Sequence, residues 1–229
     1  MTKLLAIETS AEACSVALHC DGDIRVFFEH APMRHAELLL PAVQKLLGGA
    51  GISLGQLDAI AFGRGPGSFT SLRIGIGVVQ GLAWGADIPV VPISSLAAAA
   101  QDAAELSNGS APSICIALDA RMGEVYTAQF SIGSNGIVDV DGEERVCAPG
   151  LVTAPGSRRF VAAGNGFGRF GELHRLASAA VECYPDIAPR AETVCKLAQD
   201  WLTRNQPLAA AMAQPVYVRN KVADKPSPV

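Results

Sequence analysis

One order of elements occurs twice along this chain, and that repetition leaves few folds open. In the first half, the apolar runs 3–9, 14–20 and 23–30 read as strands. Asp21-Gly22, between the second and third runs, is a strong hairpin signal. Residues 35–51 carry the apolar pairs Leu38/Leu39, Ala42/Val43 and Leu46/Leu47, four apart, which is the pattern of an amphipathic helix closed by Gly48-Gly49. Pro41 lacks an N–H and is expected to start or kink that helix. A buried strand over 57–63, a helix from Ser68 to about Gly85, a strand over 88–94 and an alanine-rich helix capped by Ser94 or Ser95 complete the half. "SNGSAPS" (107–113) is a turn-rich break. The order then restarts in shortened form: strands at 114–120, 124–130 and 136–142, a strand and tight turn at 159–166, and a helix at 191–205. The closing "QPVYVRNKVADKPSPV" reads as an extended tail that frays at its end.

Hairpins followed by helical crossovers give a mixed sheet in each half. The expected class is α/β, with an N-terminal lobe at 1–106 and a smaller lobe at 107–229. The actin and sugar-kinase superfold packs two such lobes across a cleft. The last helix and tail are expected to pack back on the first lobe.

Composition narrows the function. The 229 residues are 49% apolar and 17% charged, enough to bury a real core. A formal net charge of −4 speaks against tight, unaided binding of nucleic acid, and the basic residues form no run beyond Arg158-Arg159 and the tail's Arg219 and Lys221. Six cysteines without a C-x-x-C pair read as thiols in a reducing compartment. The apolar stretch Leu4–Ile7 is too short for a signal peptide, and 74–86, about thirteen residues, falls short of the ~20 that span a bilayer. A cytoplasmic protein is the expectation.

The chemistry-bearing residues are few. "GRGPGSFTSLRIG" (63–75) joins a strand to a helix, and Gly65, Gly67 and Ser68 stand where a phosphate nest would form at a helix N-terminus. A tight strand–helix turn explains the same residues, and no G-K-[ST] occurs in the chain. Glu8, Thr9 and Ser10 lie where the first strand turns into the second, a polar turn that in sugar kinases and actins meets the phosphate and its metal. Asp119 and Arg121 at a charged hairpin turn, and Gly164, Asn165 and Gly166, would face the same cleft in a two-lobed fold. The four histidines (His19, His30, His35, His174) include no i, i+4 pair, so no metal site follows, and His35 reads as a surface or cap residue.

The helix after the glycine stretch is apolar almost all round, interrupted by Arg73 and Gln80, and a helix of that kind must be covered on nearly every side. Leu72, Ile76 and Val79 form one stripe. Arg73, Gly77, Gln80, Gly81 and Trp84 form the opposite side, where small residues admit a partner closely. The first helix is expected to add Leu39, Val43 and Leu46 to that surface.

Taken together, "LLAIETSAEACSVAL", "HAELLLP", "GPGSFTSLRIG", "SSLAAAA", "DARMGEVY", "GNG" and "PVYVR" resemble the bacterial TsaB (YeaZ) family, in the same order over nearly the whole chain. Ser71 departs from the glycine that the family usually has there. The resemblance implies a two-lobed actin-like (ASKHA) fold with ribonuclease H-like lobes. It implies a non-catalytic subunit of the machinery that makes threonylcarbamoyladenosine next to the anticodon of transfer RNA, with no cofactor and no metal of its own. The implied partners are a catalytic TsaD-like subunit, held through the helices at 35–48 and 68–85, and a TsaE-like ATPase. Transfer RNA would be met only within the complex, and a homodimer through the same helices is expected for the chain alone. Two other readings compete: an ATP-dependent phosphotransferase, supported by Glu8, Thr9 and the glycine turns, and a metalloprotease, against which the histidine spacing speaks.

Overall fold

The structure, a computed structural model, describes residues 2–156 and 159–219. It contains two five-stranded mixed sheets. The first is built from β1 (Leu4–Glu8), β2 (Ala13–Cys20), β3 (Asp23–His30), β4 (Ala59–Gly63) and β5 (Val90–Ile93), in the order β3-β2-β1-β4-β5. The β1–β2 and β2–β3 pairs are antiparallel, and β1–β4 and β4–β5 are parallel. The second sheet comprises β6 (Ser113–Asp119), β7 (Val125–Ile132), β8 (Val138–Cys147), β9 (Phe160–Ala163) and β10 (Glu182–Tyr184), in the order β10-β9-β6-β7-β8. Its β6–β7 and β7–β8 pairs are antiparallel and its β6–β9 and β9–β10 pairs parallel, the same topology again. The chain is thus an α/β protein of two lobes with like sheets, as the repeated element order predicts.

Helices fill three layers around the sheets. The first lobe carries α1 (His35–Ala50), α2 (Phe69–Ala86) and α3 (Ser95–Ser107). Among the described residues, the second has the short α4 (Gly166–Arg169) and α5 (His174–Ala179), followed by α6 (Ala191–Arg204). Where α1 crosses between strands in the first lobe, the second makes do with a single turn at Pro149–Leu151.

Alternation along β1 sorts its side chains between layers, since successive residues face opposite sides. Leu5 and Ile7 point outward to α1 and α2, in a cluster with Val16, Leu39, Val43, Phe62, Ile76 and Val79. Leu4 and Ala6 point inward, into a second cluster shared by both sheets, α3 and α6, with Ile114, Ile116 and Phe130 across from them. Covered on both faces, β1 is fully buried. The outer face of the second sheet packs Cys115, Ala117 and Ala162 on Phe167 and Leu173.

Two sequence expectations change, and the closing segment is anchored as far as it is described. Helix α1 begins at His35 and continues through Pro41, six residues earlier than Pro41 would start it; the proline lies on the solvent side, where the carbonyl it leaves unpaired can be hydrated. Strand β8 continues to Cys147, beyond the predicted 142. The closing segment does not fray through Arg219: Leu208 exchanges both backbone hydrogen bonds with Val90, extending the first sheet past β5. Residues 220–229 of the expected tail, Lys221 among them, lie outside the described residues, as does Arg158.

Candidate functional site

Glu8 and Thr9, where β1 enters the turn to β2, are bound inward, whereas Ser10 borders the cleft. Glu8 is 1% exposed. Its carboxylate accepts from the Ser10 N–H at 2.6 Å and from the Ser95 hydroxyl at 2.8 Å. Burial pushes its pKa up, against the opposing pull of those donors. Gly63 makes the fit possible, because a Cβ there would fall 2.0 Å from Glu8 Oε2. The Thr9 hydroxyl donates to the Ser71 carbonyl at 2.9 Å, tying the turn to the start of α2. Ser10 accepts from the Ser68 N–H at 2.8 Å through its own carbonyl, and a Cβ on Gly67 would meet that carbonyl at 2.4 Å. Ser68 holds the N-cap position of α2, but its hydroxyl pairs with Ser71 Oγ instead of a backbone N–H. Gly65 has φ +96°, and its carbonyl accepts from the Ser95 N–H.

Opposite this turn, the second lobe presents its own loops. Asn165 Oδ1 accepts the Asp119 N–H at 2.7 Å, and Asp119 Oδ1 accepts the Arg121 N–H at 2.8 Å. Arg121 and Arg169 each approach Asp119 Oδ2 at 3.4 Å, and Arg121 reaches across to Glu12 of the first lobe. Gly164 and Gly166 press against the Ala117 carbonyl, at 2.4 and 2.8 Å from a notional Cβ, and so place Asn165. A cavity of about 530 Å³ lies between the lobes. Of the expected cleft residues, Ser10, Gly67, Ser68, Asp119, Arg121 and Asn165 line it; Glu8, Thr9, Gly65, Gly164 and Gly166 stand behind it.

Helix α2 shows two unlike sides. Leu72, Ile76, Val79 and Ala83 are buried against the sheet. Arg73, Gly77, Gly81 and Trp84 are exposed, Trp84 at 76%, and Gln80 is half-buried. Nothing lies within 4 Å of a notional Cβ at Gly77, Gly81 or Gly85, so this ridge of backbone is open.

Comparison with known proteins gives consistent matches. A family model described as "TsaD: tRNA N6-adenosine threonylcarbamoyltransferase" matches residues 26–157. The chain is 40% identical to the "tRNA threonylcarbamoyladenosine biosynthesis protein TsaB" of Escherichia coli (strain K12), over 99% of this chain and 98% of that one. It is 39% identical to the protein of the same name from Haemophilus influenzae, over 98% and 97%. The solved structure titled "YeaZ from Pseudomonas aeruginosa" superposes with a TM-score of 0.88 at 41% identity, covering 95% of this chain and all of that one. The chain belongs to the TsaB family.

For a TsaB-family chain, two expectations about the first helix need correction. Leu39, Val43 and Leu46 are 0%, 2% and 8% exposed and fill this chain's own core beside Leu5 and Phe62. They do not form an outward surface: Leu39, Ala42, Val43, Leu46 and Leu47 are all buried in this chain's own core, and Leu38 is half-buried against it. The residues α1 turns outward include Leu40, 45% exposed, and Gln44. His35 is buried rather than a surface or cap residue. Its Nε2 stands 3.1 and 3.2 Å from the carbonyls of Ala11 and Ala13, so that nitrogen carries the proton and donates to both.

Sequence reasoning missed the residues that bridge the lobes. Arg64 donates to both carboxylate oxygens of Glu144 at 3.1 and 3.2 Å. The "PVYVR" stretch (215–219) lies on α2, with Tyr217 stacked 5.4 Å from Phe69 and its hydroxyl accepting from Arg73 Nε at 3.1 Å. The motif itself was the available signal, since an aromatic and a cation at the end of a supposedly frayed tail are candidates for docking.

Proposed function

We propose that this chain is a non-catalytic partner subunit of the apparatus that installs threonylcarbamoyladenosine next to the anticodon of transfer RNA. In this reading it docks a TsaD-like catalytic subunit on the outward side of α2 and the adjoining surface of α1, in the cytoplasm. A TsaE-like ATPase joins that complex, and transfer RNA is bound there and not by this chain alone. The open backbone ridge of Gly77 and Gly81 beside the exposed Trp84 is the observation that carries the reading. Interior glycines each cost a helix roughly 1 kcal/mol relative to alanine. At Gly77 and Gly81, where nothing in this chain lies within 4 Å of a notional Cβ, close approach by another backbone is what offsets that cost. Tryptophan and arginine beside it are the side chains that most often anchor an interface. Until the catalytic subunit is present, a homodimer through the same ridge covers it.

The sealed Glu8 turns the balance away from a phosphotransferase. A carboxylate that meets a phosphate-bound cation must be reachable, whereas this one is enclosed by Ser10, Ser95 and Gly63. Isothermal titration with ATP and magnesium is expected to show no micromolar binding with turnover.

The decisive variant is Gly81→Glu. In the free chain, glutamate at this site points into open space, so circular dichroism should match the parent. In a complex it buries an unpaired charge, at several kcal/mol, and capture of a TsaD-like subunit should fall by orders of magnitude. Light scattering should report a monomer. A folded Gly81→Glu protein that still pairs and still captures the subunit would show that the interface lies elsewhere.

A further inference from the structure

After α6 the chain does not leave the molecule. It crosses the edge of the first sheet at Leu208, then follows α2 back toward that helix's beginning. Gln80 Nε2 donates to the Ala213 carbonyl at 2.7 Å. The Val216 N–H donates to the Arg64 carbonyl at 2.8 Å, and Tyr217 engages Phe69 and Arg73 as described. Arg73 itself lies 4.1 Å over the Phe69 ring. Two residues on, Arg219 reaches the second lobe, where its guanidinium pairs with Glu124 and touches Met122 Sδ at 3.5 Å. Val216, Tyr217, Val218 and Arg219 thereby form one wall of the inter-lobe cavity.

The spacing of these anchors matters. Three residues of extended chain reach at most about 10 Å. Val216 on the first lobe and Arg219 on the second are thus joined by a nearly inextensible span. The segment's described length has no strand or helix longer than the turn Ala210–Met212, so the anchors are what fixes it. When one anchor lets go, its neighbours lose the geometry that holds them. Segments of this kind open as a unit below the free energy of global unfolding.

We propose that residues 205–219 are a latch that opens the inter-lobe cavity and uncovers the Arg73–Gln80 side of α2 in a single step. The latch is a property of this chain by itself and does not depend on which partner α2 binds. Its signature is reciprocity: loosening either end must loosen the other by a similar factor.

Amide hydrogen exchange, read residue by residue by NMR on the full chain, tests it with two variants. Glu124→Ala removes the second-lobe anchor of Arg219 without touching α2. It is expected to speed exchange at Val216 and at residues 72–74 of α2 by about fivefold, the scale of one lost hydrogen bond. Tyr217→Ala removes the α2 anchor. It is expected to speed, by a similar factor, the Ala120 and Glu124 amides that close the turn on the second lobe. Amides of β1 should not change in either. Should Tyr217→Ala fail to fold, Tyr217→Phe removes only the hydroxyl and should act in the same direction. Acceleration confined to the mutated end, or none at all, would overturn the latch and leave the segment a passive cover.

Discussion

Glu8 sets a pH dependence that can be worked out from its surroundings. Burial raises its pKa above the ordinary value near 4.5, so the folded state holds the proton more tightly than the unfolded chain does. Stability from this group is therefore fully present below pH about 4.5 and is lost as pH rises through the folded value. Glu8→Gln keeps an acceptor for the Ser10 N–H and a partner for Ser95 while removing the charge. Its melting temperature relative to the parent should climb between pH 4 and pH 7, measured by calorimetry across that range. A flat difference would mean that the carboxylate is as well solvated as in the unfolded chain. The sequence marked Glu8, Thr9 and Ser10 as a polar turn; their direction was not legible, because it depends on Gly63 and Ser95, far along the chain. His35 was misjudged for the same reason: its partners, Ala11 and Ala13, lie 24 and 22 residues earlier.

On α2, glycines that look alike in sequence do opposite work. Gly81 faces open space, so Gly81→Ala in the isolated chain should stabilise it by up to about 1 kcal/mol, by helix propensity alone. At Gly75 a Cβ would fall 2.2 Å from Thr9 Oγ1, against the turn that Thr9 bonds to Ser71. Gly75→Ala should therefore destabilise by about 1–3 kcal/mol, as overpacking does. Urea unfolding of the two variants checks both signs at once, and an equal effect would deny the distinction. The four-residue spacing of Gly77, Gly81 and Gly85 was readable in the sequence, as was the buried stripe of Leu72, Ile76 and Val79. Period and composition reveal that a helix has two sides. They do not say whether the apolar side of a helix such as α1 is covered by its own sheet or by a partner, and so Leu39, Val43 and Leu46 were placed outward when they belong to the core.

At the scale of the whole molecule, the lobes are joined by side chains as well as by chain. The Arg64–Glu144 pair is bidentate and mostly shielded, with side chains 26% and 11% exposed. Charge-assisted bonds of this kind contribute about 1.5–3 kcal/mol. A double-mutant cycle with Arg64→Met and Glu144→Gln should return a coupling energy of that order in thermal unfolding; additivity would mean that the two side chains act independently. The repeated element order foretold both sheets, and the sequence reading expected the last helix on the first lobe, but it did not foresee α3 on the second sheet. Helix α3 follows the first sheet in sequence yet packs on β6, β7, β8 and β9 of the second, while α6 comes last and packs on β1, β2, β4 and β5 of the first. A ribosome delivers the chain from its N-terminus. The first sheet must therefore wait, with Leu4, Ala6 and Ala17 uncovered, until α6, which follows every strand of both sheets, has emerged. During that interval the nascent chain is a client for whatever shields apolar surface in the cell, and no early-finished half exists to be released.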